Sequence, residues 1–143
     1  MSMIRIQGRT KLMHLPVTAS TALAVNSLVA WSSGKLIAAT STTESYDIVG
    51  LIRHAIASTD SDYADERLVE VEVPTEKNVV YECEVTSGLV AADRGLFQDL
   101  TDADTINRAA STYDIAQCVK VISTTKGWFL LNIGVDARRK AAS

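Results

Sequence analysis

At 143 residues, with 22% charged and 47% apolar side chains, the chain has the size and usage of one globular domain. It is long enough to bury about two-thirds of its unfolded surface without a metal or disulfide, and too apolar for a disordered segment. The net charge of −3 is unevenly spread: residues 1–15 contribute +3, residues 136–143 contribute +2, and the body between carries −8, which argues against a nucleic-acid grip across a face.

"MSMIRIQGRTKLMHL" comes first. Its apolar residues follow no clear period and are separated by bases, so it has no signal-peptide h-region. We read residues 1–15 as an extended arm before a domain that starts near Pro16. Ile4, Arg5, Ile6, Arg9, Lys11, Leu12, Met13 and Leu15 are its side chains available to a partner. "SLVAWSSGKLIAAT" (27–40) then reads as strand, turn and strand, with Gly34 supplying the positive φ of the turn. "DIVGLIRHAI" (47–56) reads as a buried strand with Gly50 at a bulge. "STDSDYADE" (58–66) reads as an exposed, mobile polar loop. It has the look of a calcium loop, but Ala64 takes the place of the third ligand and Asp65 that of the glycine.

The clearest period is two. Val69, Val71 and Val73 alternate with Glu70 and Glu72; Val79, Tyr81, Cys83 and Val85 alternate with Glu82 and Glu84. With "PTEKN" between them, 68–73 and 79–86 read as one hairpin with four glutamates on a wet face. "GLFQDLT" (95–101) is a short strand, and "TDADTINRAAS" (101–111) has room for a turn or two of helix capped by Thr101 or Asp102. "AQCVKVIS" and "GWFLLNI" form a closing hairpin around "TTKG".

Short strands at close intervals imply a mainly β fold: a small single-domain barrel or sandwich over 16–134, at most one or two short helices, and a basic tail at 135–143. Cys83 and Cys118 fall in apolar stretches and read as small buried thiols. No apolar run approaches the roughly 18 residues of a membrane-spanning helix, so the expected setting is a reducing cytoplasm without membrane or direct nucleic-acid contact. His14 and His54 lack metal-site spacing, and no nucleophile elbow, phosphate loop or dinucleotide glycine pattern is present. No catalytic, cofactor or metal residue is therefore assigned, and the chain reads as a non-enzyme.

One motif occurs twice. Tyr46-Asp47-Ile48 and Tyr113-Asp114-Ile115 each follow a strand–turn–segment unit with a Ser/Thr-rich connection, and each leads into an apolar strand carrying a base, Arg53 or Lys120. The tyrosines would anchor the connection and the aspartates would accept nearby amides. Either a barrel is made from two similar halves, or one local solution is used twice.

The two units together resemble the decoration, or head-stabilising, proteins of tailed bacteriophages. The residues that carry the likeness are Val29, Gly34, Lys35, Leu36, Ala39, Thr40, Ile48, Val49, Gly50 and Leu51, then "LTDADT" at 100–105. The likeness covers most of 16–125, and the second unit departs from it where Gln117 replaces the glycine at Gly50. The resemblance implies a non-enzymatic, β-tulip-like homotrimer, made in the host cytoplasm and seated on the capsid exterior. There it clamps major capsid protein subunits against internal DNA pressure, with the arm adding a strand to a subunit. The alternatives are another virion component, such as a tail or head–tail joining protein, and a β-barrel ligand binder or small enzyme.

Overall fold

The computed structural model describes residues 3–76 and 78–133. Its strands are β1 (Ile4–Gln7), β2 (Thr10–Pro16), β3 (Leu28–Ser32), β4 (Lys35–Ala38), β5 (Ile48–Ile52), β6 (Leu68–Pro74), β7 (Val80–Val85), β8 (Phe97–Asp102), β9 (Thr105–Asn107), β10 (Ala116–Ser123) and β11 (Lys126–Leu131). Single 3-10 turns at Ser45–Asp47 and Ala91–Asp93 are the helical elements among the described residues.

The strands form two small rings. The first runs β2-β6-β5-β3-β4; Val17, just past β2, bridges Leu36 of β4 in parallel, and Thr18 N donates to Leu36 O at 3.0 Å. The second runs β7-β11-β10-β8-β9 and closes where β9 pairs in parallel with β7. Strand for strand the order is the same, β2 standing for β7, β3 for β8, β4 for β9, β5 for β10 and β6 for β11. The closing contact is parallel in both. The fold is thus mainly β and built on closed barrels, as the short strands imply. The doubled motif falls at the same place in each, immediately before β5 and before β10.

Side-chain parity explains how the rings join. Val29, Leu36, Val49, Ile52 and Val71 fill the first ring. Tyr81, Cys83, Ile106, Cys118 and Phe129 fill the second. Leu28, Ala30, Ile48 and Leu51 lie outside the first ring's packed interior, yet each is 1% exposed or less and belongs to the second ring's cluster. The outer face of β3 and β5 is therefore the seat of the second barrel, and Leu28 N donates to Ala103 O in the β8–β9 turn at 2.7 Å. A strand covered on both faces has no polar position, which is why "IVGLI" is apolar throughout. Gly50 sits beside a bulge, where Val29 pairs with Gly50 but Ala30 with Ile48. A Cβ there would lie 2.1 Å from the Glu72 carbonyl oxygen.

Four expectations need correction. Residues 3–15 are not a free arm, and the folded body does not begin at Pro16. β1 pairs with β7, β2 pairs with β6 along its whole length, and Met3 is fully buried. Alternating bases do not prevent an edge strand from completing a backbone ladder. The stretches 68–73 and 79–86 do not form a hairpin, since β6 belongs to the first ring and β7 to the second; "PTEKN" links the barrels. The segment after Thr101 is a hairpin turn into β9 rather than a helix, with Asp104 N donating to Asp102 Oδ1 at 3.1 Å. Loop 58–66 is tied down: Tyr63 OH donates to Ser20 O at 2.8 Å, and Tyr63 packs on the first core. The basic tail at 135–143 lies outside the described residues.

Candidate functional site

The eight residues singled out near the N-terminus lie on β1, on β2 and at the turn between them. On β1, Ile4 is 54% exposed on the side of Glu82, while Arg5 lies on the side of buried Tyr81, and Ile6 is half-buried. Arg9 is held between the strands: its N donates to Glu76 Oε1 at 3.0 Å and its O accepts from Thr75 N at 3.1 Å. On β2, Lys11, Leu12 and Met13 are exposed, and Leu15 is half-buried against the first core. The backbone of this segment is paired within the chain. What it offers a partner is the exposed side chains of Ile4, Arg9, Lys11, Leu12 and Met13, and the outer edge of β1.

Arg5 has a different task. Its Nε lies 3.0 Å from Glu72 Oε1, and Arg53 NH1 lies 3.2 Å from Glu72 Oε2. Glu72 is therefore buried, not on a wet face as the alternation alone suggests, because β1 of the second sheet covers it. Arg53 also donates to Asn26 Oδ1 at 3.3 Å. Beside this group the Tyr81 hydroxyl is buried without a hydrogen-bond partner among the described residues. Burial pushes its pKa up, the Glu72 charge adds to the shift, and Arg5 opposes it. This is a cross-barrel joint, and its charges are committed to one another.

Two open grooves are present at the surface of the described residues. The larger, about 830 Å³, is lined by His14, His54, Glu70, Arg67, Asp60 and Asp62 among others. His14 Nε2 and His54 Nε2 lie 3.9 and 3.7 Å from the two Glu70 oxygens, and both imidazoles are 66% exposed. Arg67 NH1 donates to both Asp62 oxygens at 2.7 and 2.6 Å, and this pairing holds the Asp62 carboxyl below its ordinary range. Asp60 and Asp62 of the calcium-like loop are thus engaged by Arg67, and Glu66 pairs with Lys35. Among the described residues no group of three His, Cys, Asp or Glu is arranged to hold a metal ion.

The second groove, about 430 Å³, lies between β8 and the turn before Asp114. Arg108 Nε and Val90 N both donate to Asp93 Oδ2 at 2.9 Å. The arginine above all, and then the amide, hold the Asp93 carboxyl below its usual value. Asp99, 3% exposed, accepts from Thr112 N, Tyr113 N and Asp114 N at 2.7–2.9 Å. Here the role expected of Asp114 is performed by Asp99. Of the two motif tyrosines, Tyr113 packs on the core but Tyr46 is 40% exposed. The isoleucines, Ile48 and Ile115, are the buried anchors. Cys83 and Cys118 are buried free thiols, and burial pushes the pKa of both up, so neither is a ready nucleophile.

The outer face of the second barrel escaped the sequence reading. Phe97 on β8 stands opposite Gln117 on β10, which stands opposite Leu130 on β11. Phe97 is 42% exposed, and Leu96 before it and Val119 and Ile122 further along β10 are also exposed. Lys120 Nζ sits 4.4 Å from the Trp128 ring centroid, and Trp128 Nε1 donates to Glu82 Oε2 at 3.2 Å. Short strands with bulges hid this face, because the β10 register shifts between Cys118 and Lys120 and breaks the period of two. No protein-family model matches the chain, and no curated protein matches it.

Proposed function

We propose that the chain is a decoration protein of a tailed-phage capsid, which binds the outer surface of the shell as a homotrimer and holds major capsid protein subunits together. The observation that carries this reading is the distribution of apolar surface. Side chains fill both barrel interiors, while Ile4, Leu12, Met13, Leu68, Leu96 and Phe97 stand on the outside. Filled barrels with apolar rims suit a body that binds other proteins better than one that encloses a small ligand. The segments that carry the family likeness fall on β3–β4–β5 and on the β8–β9 hairpin, in two barrels of one design.

On this reading Ile4, Arg9, Lys11, Leu12 and Met13 face the capsid. Leu15 supports them from within, Arg5 ties β1 to Glu72, and an edge of the capsid protein can extend the sheet at β1. The test is to mix the purified protein with emptied tailed-phage capsids that lack it. Co-sedimentation, with added density at threefold axes in negative stain, is expected. Absence of binding to the shell, with rings that attach instead to a tail or portal, would replace this reading by that of a joining protein.

A further inference from the structure

Both histidines of the chain meet at one carboxylate. His14 lies opposite Glu70 in the β2–β6 pairing, and His54 follows β5, where Arg53 N donates to Glu70 O at 2.9 Å. Three neighbouring segments thus set imidazole, carboxylate and imidazole in a row on the outside of the first barrel. Each Nε2 faces a different oxygen, His14 at 3.9 Å from Oε2 and His54 at 3.7 Å from Oε1. These separations are too long for a hydrogen bond but within reach of an ion pair, which exists only when the imidazole is protonated. The groove around them is short of positive charge. Its charged lining, apart from the imidazoles, is Asp60, Asp62 and Glu70 against Arg67, an excess of two negative charges. Arg67 is already engaged by Asp62 and Asp60. Arg53 and Arg5 are directed to Glu72 instead, and Lys11, further along β2, stands opposite Val73.

We infer that this groove is an acid-operated clasp: when His14 and His54 take up protons, their two charges cancel the excess and tie β2 and the end of β5 to β6. Imidazole is the side chain whose charge changes between about pH 5 and 8, and in an unfolded chain it does so near pH 6.5. In the folded chain each added proton finds Glu70 beside it, whereas the unfolded chain holds no carboxylate in place. The clasp therefore adds stability below that pH and loses it as pH rises. Above it the groove regains its two negative charges, and β2 is held by its backbone ladder and apolar contacts alone. Both imidazoles are 66% exposed, so each pair is weak and sensitive to salt. β2 also carries Lys11, Leu12 and Met13 at the surface, so acid fastens the strand that presents them and makes its surroundings less negative. The inference holds whether or not the chain decorates a capsid.

The test uses the full chain and no partner. Proton NMR follows the two imidazoles from about pH 5 to 8. At low salt each should hold its proton about two- to fivefold more tightly in the wild type than in Glu70→Gln, the range of exposed ion pairs, and the difference should fade at about 1 M salt. Thermal melts give a second readout. The melting temperature of the wild type, relative to a variant carrying both His14→Gln and His54→Gln, should rise as pH falls from about 8 to 5.5. The two replaced side chains are exposed, so this variant decides the matter if Glu70→Gln fails to fold. Equal titration of the imidazoles in wild type and Glu70→Gln would overturn the inference, as would a melting difference that does not change with pH. Tighter proton binding in Glu70→Gln would overturn it too, since Arg67 rather than Glu70 would then govern the groove.

Discussion

Replacing Gly50 with alanine tests the closest backbone approach at any glycine among the described residues. A glycine-to-alanine change normally stabilises a compatible site by about 0.4–1 kcal/mol, because the unfolded chain loses freedom. Here the added Cβ would lie 2.1 Å from the Glu72 carbonyl oxygen and 3.0 Å from its carbon, where ordinary contact begins at 3.4 Å. The obstacle is backbone, not a side chain that can turn away. β6 would have to retreat by more than 1 Å. It would do so where Leu51 pairs with Glu72, and where Glu72 holds both arginines of the joint. Overpacking costs about 1–3 kcal/mol and a lost ladder bond about 1 kcal/mol, so Gly50→Ala should cost about 2–4 kcal/mol. For a chain of this length the melting temperature should fall by about 10 °C. Urea unfolding followed by the fluorescence of Trp31 and Trp128 measures it directly. Gly34→Ala is the control: φ is +80° and nothing lies within 4 Å of the new Cβ, so only a left-handed backbone cost of about 1–2 kcal/mol remains. If Gly50→Ala is no more harmful than Gly34→Ala, the β5–β6 approach has been misjudged.

Deleting residues 2–7 should lower stability by several kcal/mol in thermal melts, since it removes buried Met3 and leaves Glu72 without Arg5; a passive arm would leave the melt unchanged. Asp99→Ala should cost about 2–3 kcal/mol by orphaning three amides, and hydrogen exchange should show Thr112, Tyr113 and Asp114 losing protection together. The Asp93 carboxyl is depressed by Arg108 and Val90, so its contribution is present above the unfolded value near pH 4 and is lost as pH falls through the folded value. Asp93→Asn should therefore be less stable than wild type at pH 7, with the gap closing toward pH 2; a gap constant across that range would refute the assignment.

The period of two located β7 because one of its faces is packed and the other is partly open, and the hairpins β3–β4 and β10–β11 were legible from the turns between their apolar runs. Period alone does not say which strand lies alongside. β6 and β7 are neighbours in sequence with matching alternation, yet they pair into different rings. Glu72 shows the same limit: its place in the pattern is that of a wet residue, and only a strand from sixty-odd residues upstream makes it a buried one. The doubled Tyr-Asp-Ile was readable because its isoleucine is the anchor at the same point of both barrels. The exposed β8–β10 face was not, because burial there depends on what a neighbour covers rather than on local alternation.

The first barrel's outer face and the second barrel's interior form a single apolar cluster, so the second half's core is completed only by the first, which keeps a packed interior of its own. Separated, the first would show water Leu28, Ala30, Ile48 and Leu51, and the second would lose the lid over its packed interior. Two units of one design are thus joined into one cooperative unit, and melting should follow a single transition rather than two. If the chain were opened at the "PTEKN" connection, the fragments should recover the fold only by finding each other, and a property that belongs to one molecule would become dependent on concentration.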